Sequence, residues 1–389
     1  MKKLVIIGLL FLILFLNLYI SPVKADSTLE LTKDAKSAIL IEPTTMTVIY
    51  EKNAKEARSP ASMTKIMTLI LIMESLEKGQ ITLDEKVQAS MRARKITGSK
   101  IYLEYQEEMS VDDLLKGIAI GSGNDAAIAM AEKIGGSEEN FVNMMNQKAK
   151  ELGAVNTNFK NCHGLDEEGH YSCAYDIALF GAYLVNTFGE KILRYTSVYE
   201  DYLRKETPKP FWLVNTNKLV RFVEGVDGLK SGWTDIAGYC LCATIHRGNI
   251  RFISVVMGCS TNNARNQETM QMLNYGLSNF ELINIFKKNQ PLRKYKDITL
   301  GNIEYNIVPS KDINVLVRKG APKKDVRYDM TIDYQKIKQL ENKNIGTLKV
   351  YYDNKLISTV SLDIVEEVKK ASFIDVCFTV FKEVFLVSK

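Results

Sequence analysis

Ser62 and Lys65 stand three residues apart in the stretch Arg58-Ser59-Pro60-Ala61-Ser62-Met63-Thr64-Lys65. A hydroxyl and an amine at that spacing share one helix face, with Cβ atoms about 5–6 Å apart, so the amine reaches the hydroxyl. Ser59 is a natural N-cap, and Pro60 suits the first helical position, where a missing N–H costs nothing. Such a start predicts Ser62 in the first turn, with its backbone N–H free to donate outside the helix. Nucleophile, base and backbone donor are the parts that acyl transfer requires. Lys65 acts as a base only when neutral, whereas a free lysine titrates near ~10.4. Burial and a second cation both disfavour its charged form. Spacing alone carries little, since Ser75 with Lys78 and Ser21 with Lys24 repeat it.

Two further clusters give the pair company. Gly121-Ser122-Gly123-Asn124 is a tight loop between predicted helices, able to present the Ser122 and Asn124 side chains together; Ser260-Thr261-Asn262 repeats the spacing at a helix start. The run Gly225-Val226-Asp227-Gly228-Leu229-Lys230-Ser231-Gly232-Trp233-Thr234 reads as a strand edge whose glycines permit close backbone approach. Lys230 is the obvious second cation, and with Ser231 it suits a carboxylate. None of the three histidines, His163, His170 and His246, lies in a nucleophile context, so a Ser-His-Asp site is not expected. Cys162, His163, His170 and Cys173 offer four soft ligands within twelve residues. Adjacent Cys and His side chains rarely converge on one ion, so neither a metal nor any other cofactor is expected.

These residues need elements to hold them. Ala38 to Tyr50 reads as a hairpin, and a helical zone runs from Pro60 to Lys78 and stops at Gly79. Helices are predicted over Val111–Ala119, Ala126–Ile134 and Glu138–Leu152, then strands over Tyr239–His246 and Phe252–Met257, then a helix from Asn263 to Phe280. Apolar or small residues on both faces of the first of these strands indicate a sheet covered on both sides. The expected fold is an α/β sandwich around an antiparallel sheet. Past residue 285 short strand-like runs indicate a smaller β domain, 285–366, after a main domain, 26–284. In the tail, 367–389, Phe373, Cys377, Val380, Phe381, Val384 and Phe385 share a helical face opposite Asp375, Thr379 and Lys382. Its charges argue against a span and for a helix lying on a membrane surface.

The 389 residues suit two domains, and charged residues at 25% with hydrophobic residues at 46% describe a folded chain. Lys2 and Lys3 precede an apolar run from Leu4 to Ile20, and Val23-Lys24-Ala25 ends it, so residues 1–25 read as a signal peptide cleaved after Ala25. Removing them lowers the formal charge from +5 to +2, and with no Lys/Arg cluster nucleic acid is not an expected partner. The six cysteines are scattered and do not demand disulfides.

Ser62-x-x-Lys65, Ser122-x-Asn124 and Lys230-Ser231-Gly232 occur in the order found in penicillin-binding proteins and class A β-lactamases. With Ser122-Gly123-Asn124-Asp125-Ala126-Ala127 and His163-Gly164-Leu165-Asp166, the chain resembles the low-molecular-weight penicillin-binding proteins, serine-type D-alanyl-D-alanine carboxypeptidases. One departure is serine for the commoner threonine at Ser231, which keeps the hydroxyl. The resemblance implies the serine D,D-peptidase fold and a stem peptide ending in D-Ala-D-Ala as substrate, with β-lactams as covalent inhibitors. It places the enzyme outside the cytoplasmic membrane, against the cell wall. Ser62 would be nucleophile, Lys65 base, Ser122 proton shuttle and Asn124 positioner. The Trp233 N–H would complete the oxyanion hole, and Lys230, Ser231 and Arg265 would hold the terminal carboxylate.

A serine β-lactamase would share the motifs but needs a glutamate-activated water for deacylation. No Glu-x-x-x-Asn element lies between Asn156 and Tyr171, and Glu139-x-x-x-Asn143 falls in a predicted helix. A non-catalytic wall-binding protein is disfavoured by the intact Ser62, Lys65, Asn124 and Lys230.

Overall fold

Strand β1 (Ser37–Glu42) is buried at all six positions, as a strand must be when both faces of its sheet are covered. It forms a hairpin with β2 (Thr47–Lys52). The computed structural model describes residues 29–300, 304–322 and 324–385; the expected signal peptide lies outside them. Short antiparallel pairs follow: β3 (Lys86–Gln88) with β4 (Glu108–Ser110), and β5 (Glu200–Leu203) with β6 (Phe211–Val214). Strands β7 (Val226–Thr234), β8 (Gly238–Arg247) and β9 (Ile250–Cys259) complete a five-stranded antiparallel sheet in the order β2-β1-β9-β8-β7.

Two apolar layers cover this sheet. On one face the helices Lys65–Glu77, Val111–Ala119, Asn124–Gly135, Glu138–Glu151 and Ala174–Phe188 share a core with Ile39, Ile41, Cys242, Ile253 and Val255. On the other the Asn262–Asn279 helix packs Met272 and Leu273 on Leu40, Leu241, Ala243 and Phe252. The sandwich is therefore the one expected. The Lys65–Glu77 helix is the innermost element, buried at every position from Lys65 to Met73. Such a helix is apolar all round and shows no stripe. The Ala174–Phe188 helix, to which the sequence reading gave no element, is buried over most of its surface, with Tyr175, Leu179 and Tyr183 half-buried along one side. Its Gly181 lets it close on the sheet, since a Cβ there would stand 3.1 Å from Leu229 and 3.3 Å from the Cys242 sulfur.

Beyond the Asn262–Asn279 helix, β10 (Phe280–Phe286) pairs with β13 (Ile313–Arg318). Strands β11 (Arg293–Tyr295), β12 (Tyr305–Pro309), β14 (Val326–Ile332), β15 (Gly346–Tyr352) and β16 (Lys355–Ile364) form a second sheet, ordered β11-β12-β16-β15-β14, with its own apolar core. A helix follows over Phe373–Phe385, with Phe373, Ile374 and Val380 exposed. No helix among the described residues is long and apolar enough to cross a membrane.

Candidate active site

The polypeptide enters the central helix differently from the sequence expectation. Ser59 does not cap it; its hydroxyl donates to Asp166 Oδ1 at 2.6 Å. A carboxylate brought across the fold outcompetes a local N–H, because charge-assisted bonds are about twice as strong as neutral ones. Pro60 takes the cap position of a 3₁₀ turn, Ala61–Thr64, which runs into the α-helix at Lys65. Ala61 holds the left-handed conformation, φ 45°, at the head of this turn. In a 3₁₀ turn residues i and i+3 eclipse, which lays the Lys65 side chain over Ser62 more directly than an α-turn would.

Lys65 is fully buried, and its Nζ lies 3.1 Å from Ser62 Oγ, 2.6 Å from Asn124 Oδ1 and 2.7 Å from the His163 carbonyl oxygen. The last two groups only accept. A neutral amine gives each of them one N–H and turns its lone pair on the Ser62 hydroxyl. Burial pushes the Lys65 amine down to about 7, against the weaker pull of Cys162 and Asp125. The Ser62 N–H has no hydrogen-bond partner among the described residues. It stands 3.1 Å from where a Cβ on Gly232 would lie, so only glycine lets β7 approach this closely.

Ser122 sits between the Val111–Ala119 and Asn124–Gly135 helices in a left-handed conformation, φ 59°. The Asn124 amide nitrogen donates to Thr97 O at 2.8 Å, which turns Oδ1 toward Lys65. Asp125, fully buried, accepts from the backbone N–H groups of Ile101, Leu103 and Ala126 and so fixes the 97–103 segment against the same helix start. A second loop closes the base from the other side. Thr68 Oγ1 donates to Cys162 O at 2.6 Å, beside the His163 carbonyl bond. At Gly164, φ +91°, a Cβ would fall 1.9 Å from Ala61 O.

The opposite wall is β7, an edge strand. Lys230 is buried, with Nζ 3.1 Å from Ser231 O, and burial, then Lys65, then Arg265, push its amine well down. Ser231 Oγ donates to Thr216 Oγ1 at 2.8 Å. The Trp233 ring is about half exposed and tilts onto Tyr239 at 6.0 Å. Arg265 is only 3% exposed, not a surface residue, and its guanidinium reaches just Asn262 Oδ1 and Asn266 Oδ1, with no carboxylate partner among the described residues. Its field on Lys230 places it at the same end of the sheet. The fold thus gathers Ser62, Lys65 and Asn124 by direct contact and Lys230, Ser231 and Gly232 along the facing strand.

The histidine rings are engaged elsewhere. His163 Nδ1 accepts from Leu165 N at 3.2 Å, and burial pushes the ring down to about 3. His170 Nδ1 accepts from Lys160 N, so Nε2 carries the proton and donates to Thr64 Oγ1 at 2.9 Å. All six cysteines are unpaired thiols, and Cys377 is the exposed one. The decoys have other roles: Thr261 caps the Asn262–Asn279 helix, Asn262 Oδ1 accepts from Arg265, and Glu139 lies inside the Glu138–Glu151 helix, paired with Arg92 at 3.6 Å. Thr216 and the His163 carbonyl escaped sequence reading, and Asp125 and Asp166 stood only within longer motifs with no role assigned. A carboxylate directly after Asn124 and one three residues after His163 were the available signals; a main-chain carbonyl leaves none.

Residues 23–261 match the family model for D-alanyl-D-alanine carboxypeptidase, and residues 280–370 that for the penicillin-binding protein 5 C-terminal domain. The D-alanyl-D-alanine carboxypeptidase DacF of Bacillus subtilis is 47% identical over 349 residues, 89% of each chain. DacA of Escherichia coli is 32% identical over 351 residues, 87% of this chain and 85% of that one. Among solved structures, penicillin binding protein 5 from Haemophilus influenzae superposes with a TM-score of 0.71 at 29% identity, covering 87% of this chain and 98% of that one. Penicillin-Binding Protein D2 from Listeria monocytogenes in its ampicillin-bound form gives 0.58 at 31% identity, over 64% of this chain and all of that one. The pairing of a half-buried serine with a buried lysine and this agreement along both regions lead to one assignment: the chain belongs to the D-alanyl-D-alanine carboxypeptidase family, the serine hydrolases among the low-molecular-weight penicillin-binding proteins.

Proposed function

We propose that Ser62 is the nucleophile of this carboxypeptidase and Lys65 its base. The observation that carries this is the buried Lys65 amine 3.1 Å from Ser62 Oγ, with its other two directions occupied by acceptors. Ser62 Oγ attacks the carbonyl carbon of the penultimate D-alanine while its proton passes to Lys65 Nζ. The negative oxygen that forms is held by the Ser62 and Trp233 N–H groups, each such donor contributing about 3–4 kcal/mol. Ser122 relays the proton to the leaving nitrogen, the C–N bond breaks, D-alanine departs, and an ester on Ser62 remains for water to cleave. Asn124 orients the amine throughout. Lys230, Ser231 and Arg265 form the pole that receives the terminal carboxylate: a buried amine, a buried guanidinium and a hydroxyl, with no carboxylate partner of their own among the described residues. A β-lactam follows the same first steps, but its leaving nitrogen stays tethered.

Incubation with a short peptide ending in D-Ala-D-Ala tests the reading. Release of D-alanine and a penicillin adduct on Ser62 by peptide mass are expected. Absence of both would refute it.

We also propose export, with action at the outer face of the cytoplasmic membrane. The supports are the apolar segment after Lys2-Lys3 and the exposed Phe373, Ile374 and Val380 of the last helix, which suit a membrane surface. Loss of vesicle flotation on deleting residues 367–389 is the expected result.

A further inference from the structure

Thr216 is bonded to the proposed carboxylate-binding hydroxyl yet belongs to none of the three motifs. It lies two residues past β6, in the run Asn215-Thr216-Asn217, and the two asparagines around it are buried. Asn215 Nδ2 donates to Thr196 O at 3.1 Å and Val198 O at 2.8 Å, while its Oδ1 accepts from Asn217 N at 2.8 Å. Asn217 Nδ2 donates to Gly228 O at 3.0 Å, on the strand that carries Lys230. Thr216 N also donates to Ile120 O at 3.4 Å, just before the Gly121-Ser122 loop. Two buried amides thus fix the backbone on either side of one threonine, between both walls of the site. Buried amides satisfied this fully make a rigid support.

The threonine they hold presents a hydroxyl to the site. Thr216 Oγ1 accepts from Ser231 Oγ at 2.8 Å, and its own proton has no acceptor among the described residues. An arriving carboxylate offers acceptor sites for more than one donor. We propose that Thr216 is a carboxylate-binding residue, whose hydroxyl joins that of Ser231 on the substrate's terminal carboxylate. In the free enzyme the Ser231 proton is parked on Thr216. On binding, both hydroxyls turn to the ligand, and the Ser231–Thr216 bond is exchanged for two charge-assisted ones. The inference rests on the reading of Ser231 given above. It assigns recognition of a free C-terminal carboxylate in part to a residue outside the motifs.

The test compares a peptide ending in D-Ala-D-Ala with the same peptide carrying a C-terminal amide. Wild type is expected to favour the acid. Thr216→Val should cut that preference about tenfold, the scale of one hydrogen bond to a charged group, through KM with kcat held. Thr216→Ser should restore it. If Thr216→Val fails to fold, Thr216→Ala carries the same comparison. Equal loss on acid and amide would overturn the proposal, since a merely structural role moves both alike. An unchanged preference in Thr216→Val beside a reduced one in Ser231→Ala would overturn it and leave the Ser231 reading standing. Unchanged preference in both variants would overturn the Ser231 reading as well.

Discussion

Each end of the Lys65–Glu77 helix carries a serine followed three residues later by a lysine, and the two pairs behave as opposites. At the far end Ser75 Oγ donates to Leu71 O at 2.9 Å, the helix's own i−4 carbonyl. Its companion Lys78 is 62% exposed along the side chain and meets Glu74 at 3.5 Å. There the hydroxyl is consumed by the backbone and the amine by water and a carboxylate. At the near end the 3₁₀ turn precedes the first α-turn, so no i−4 carbonyl competes for Ser62, and burial strips Lys65 of water. What separates the pairs is the turn type and the solvent around them, not their spacing. A weak surface pair adds little to stability, whereas a buried amine held near neutrality is a proton acceptor.

The largest expected effect follows directly. Lys65→Ala should slow penicillin labelling of Ser62 by about 10³-fold, the scale of lost general-base catalysis, while circular dichroism stays native. Labelling at the wild-type rate would erase the contrast between the two ends. Gly232→Ala should come next, because its new Cβ would stand 3.0 Å from Ala61 Cβ and 3.1 Å from Ser62 N. Displacing β7 from the serine should lower acylation by about 10²-fold, with a much smaller change in melting temperature.

The pH profile sharpens the comparison further. Burial brings the Lys65 amine to about 7, so the neutral fraction falls about tenfold per pH unit below that value. The acylation rate should fall in step and flatten above it. In stability the sign is opposite to that of a paired lysine. The unfolded chain binds the extra proton between about 7 and 10.5, so the stability linked to this group is full above that window and is lost as pH falls through it. Smallest of all, Lys78→Ala should change acylation by less than twofold and stability by less than about 0.5 kcal/mol. A larger loss would show that the exposed end is coupled to the site.

The helix order around the sheet was legible because caps and glycine stops punctuate it: the Ser110 and Ser137 hydroxyls accept from Asp113 N and Asn140 N at the starts of two predicted helices, and Gly79 follows the central one in a left-handed conformation. The Ala174–Phe188 helix was illegible because its half-exposed side is itself built from Tyr175, Leu179 and Tyr183, which blurs the contrast that a hydrophobic period needs. In the site, residues that act through side chains within short motifs were readable. Ser59 misled because Asp166, more than a hundred positions away, claims its hydroxyl. Thr216 and Asp125 were unreadable as partners for the same reason: their roles depend on contacts that only the fold creates.

One of the two acceptors around the Lys65 amine is a main-chain carbonyl, that of His163. Every amino acid carries that group, so substitution at 163 alters the ring's contacts without removing the oxygen. The fragile position is its neighbour Gly164, where any side chain would drive into Ala61 O. Tolerance to mutation is therefore inverted along this loop. Replacing the residue that touches the base costs the ring's own contacts but leaves the oxygen in place, whereas any side chain at the glycine beside it, which does not touch the base, moves the loop. Variant libraries built on proximity to the lysine would rank the two in the wrong order.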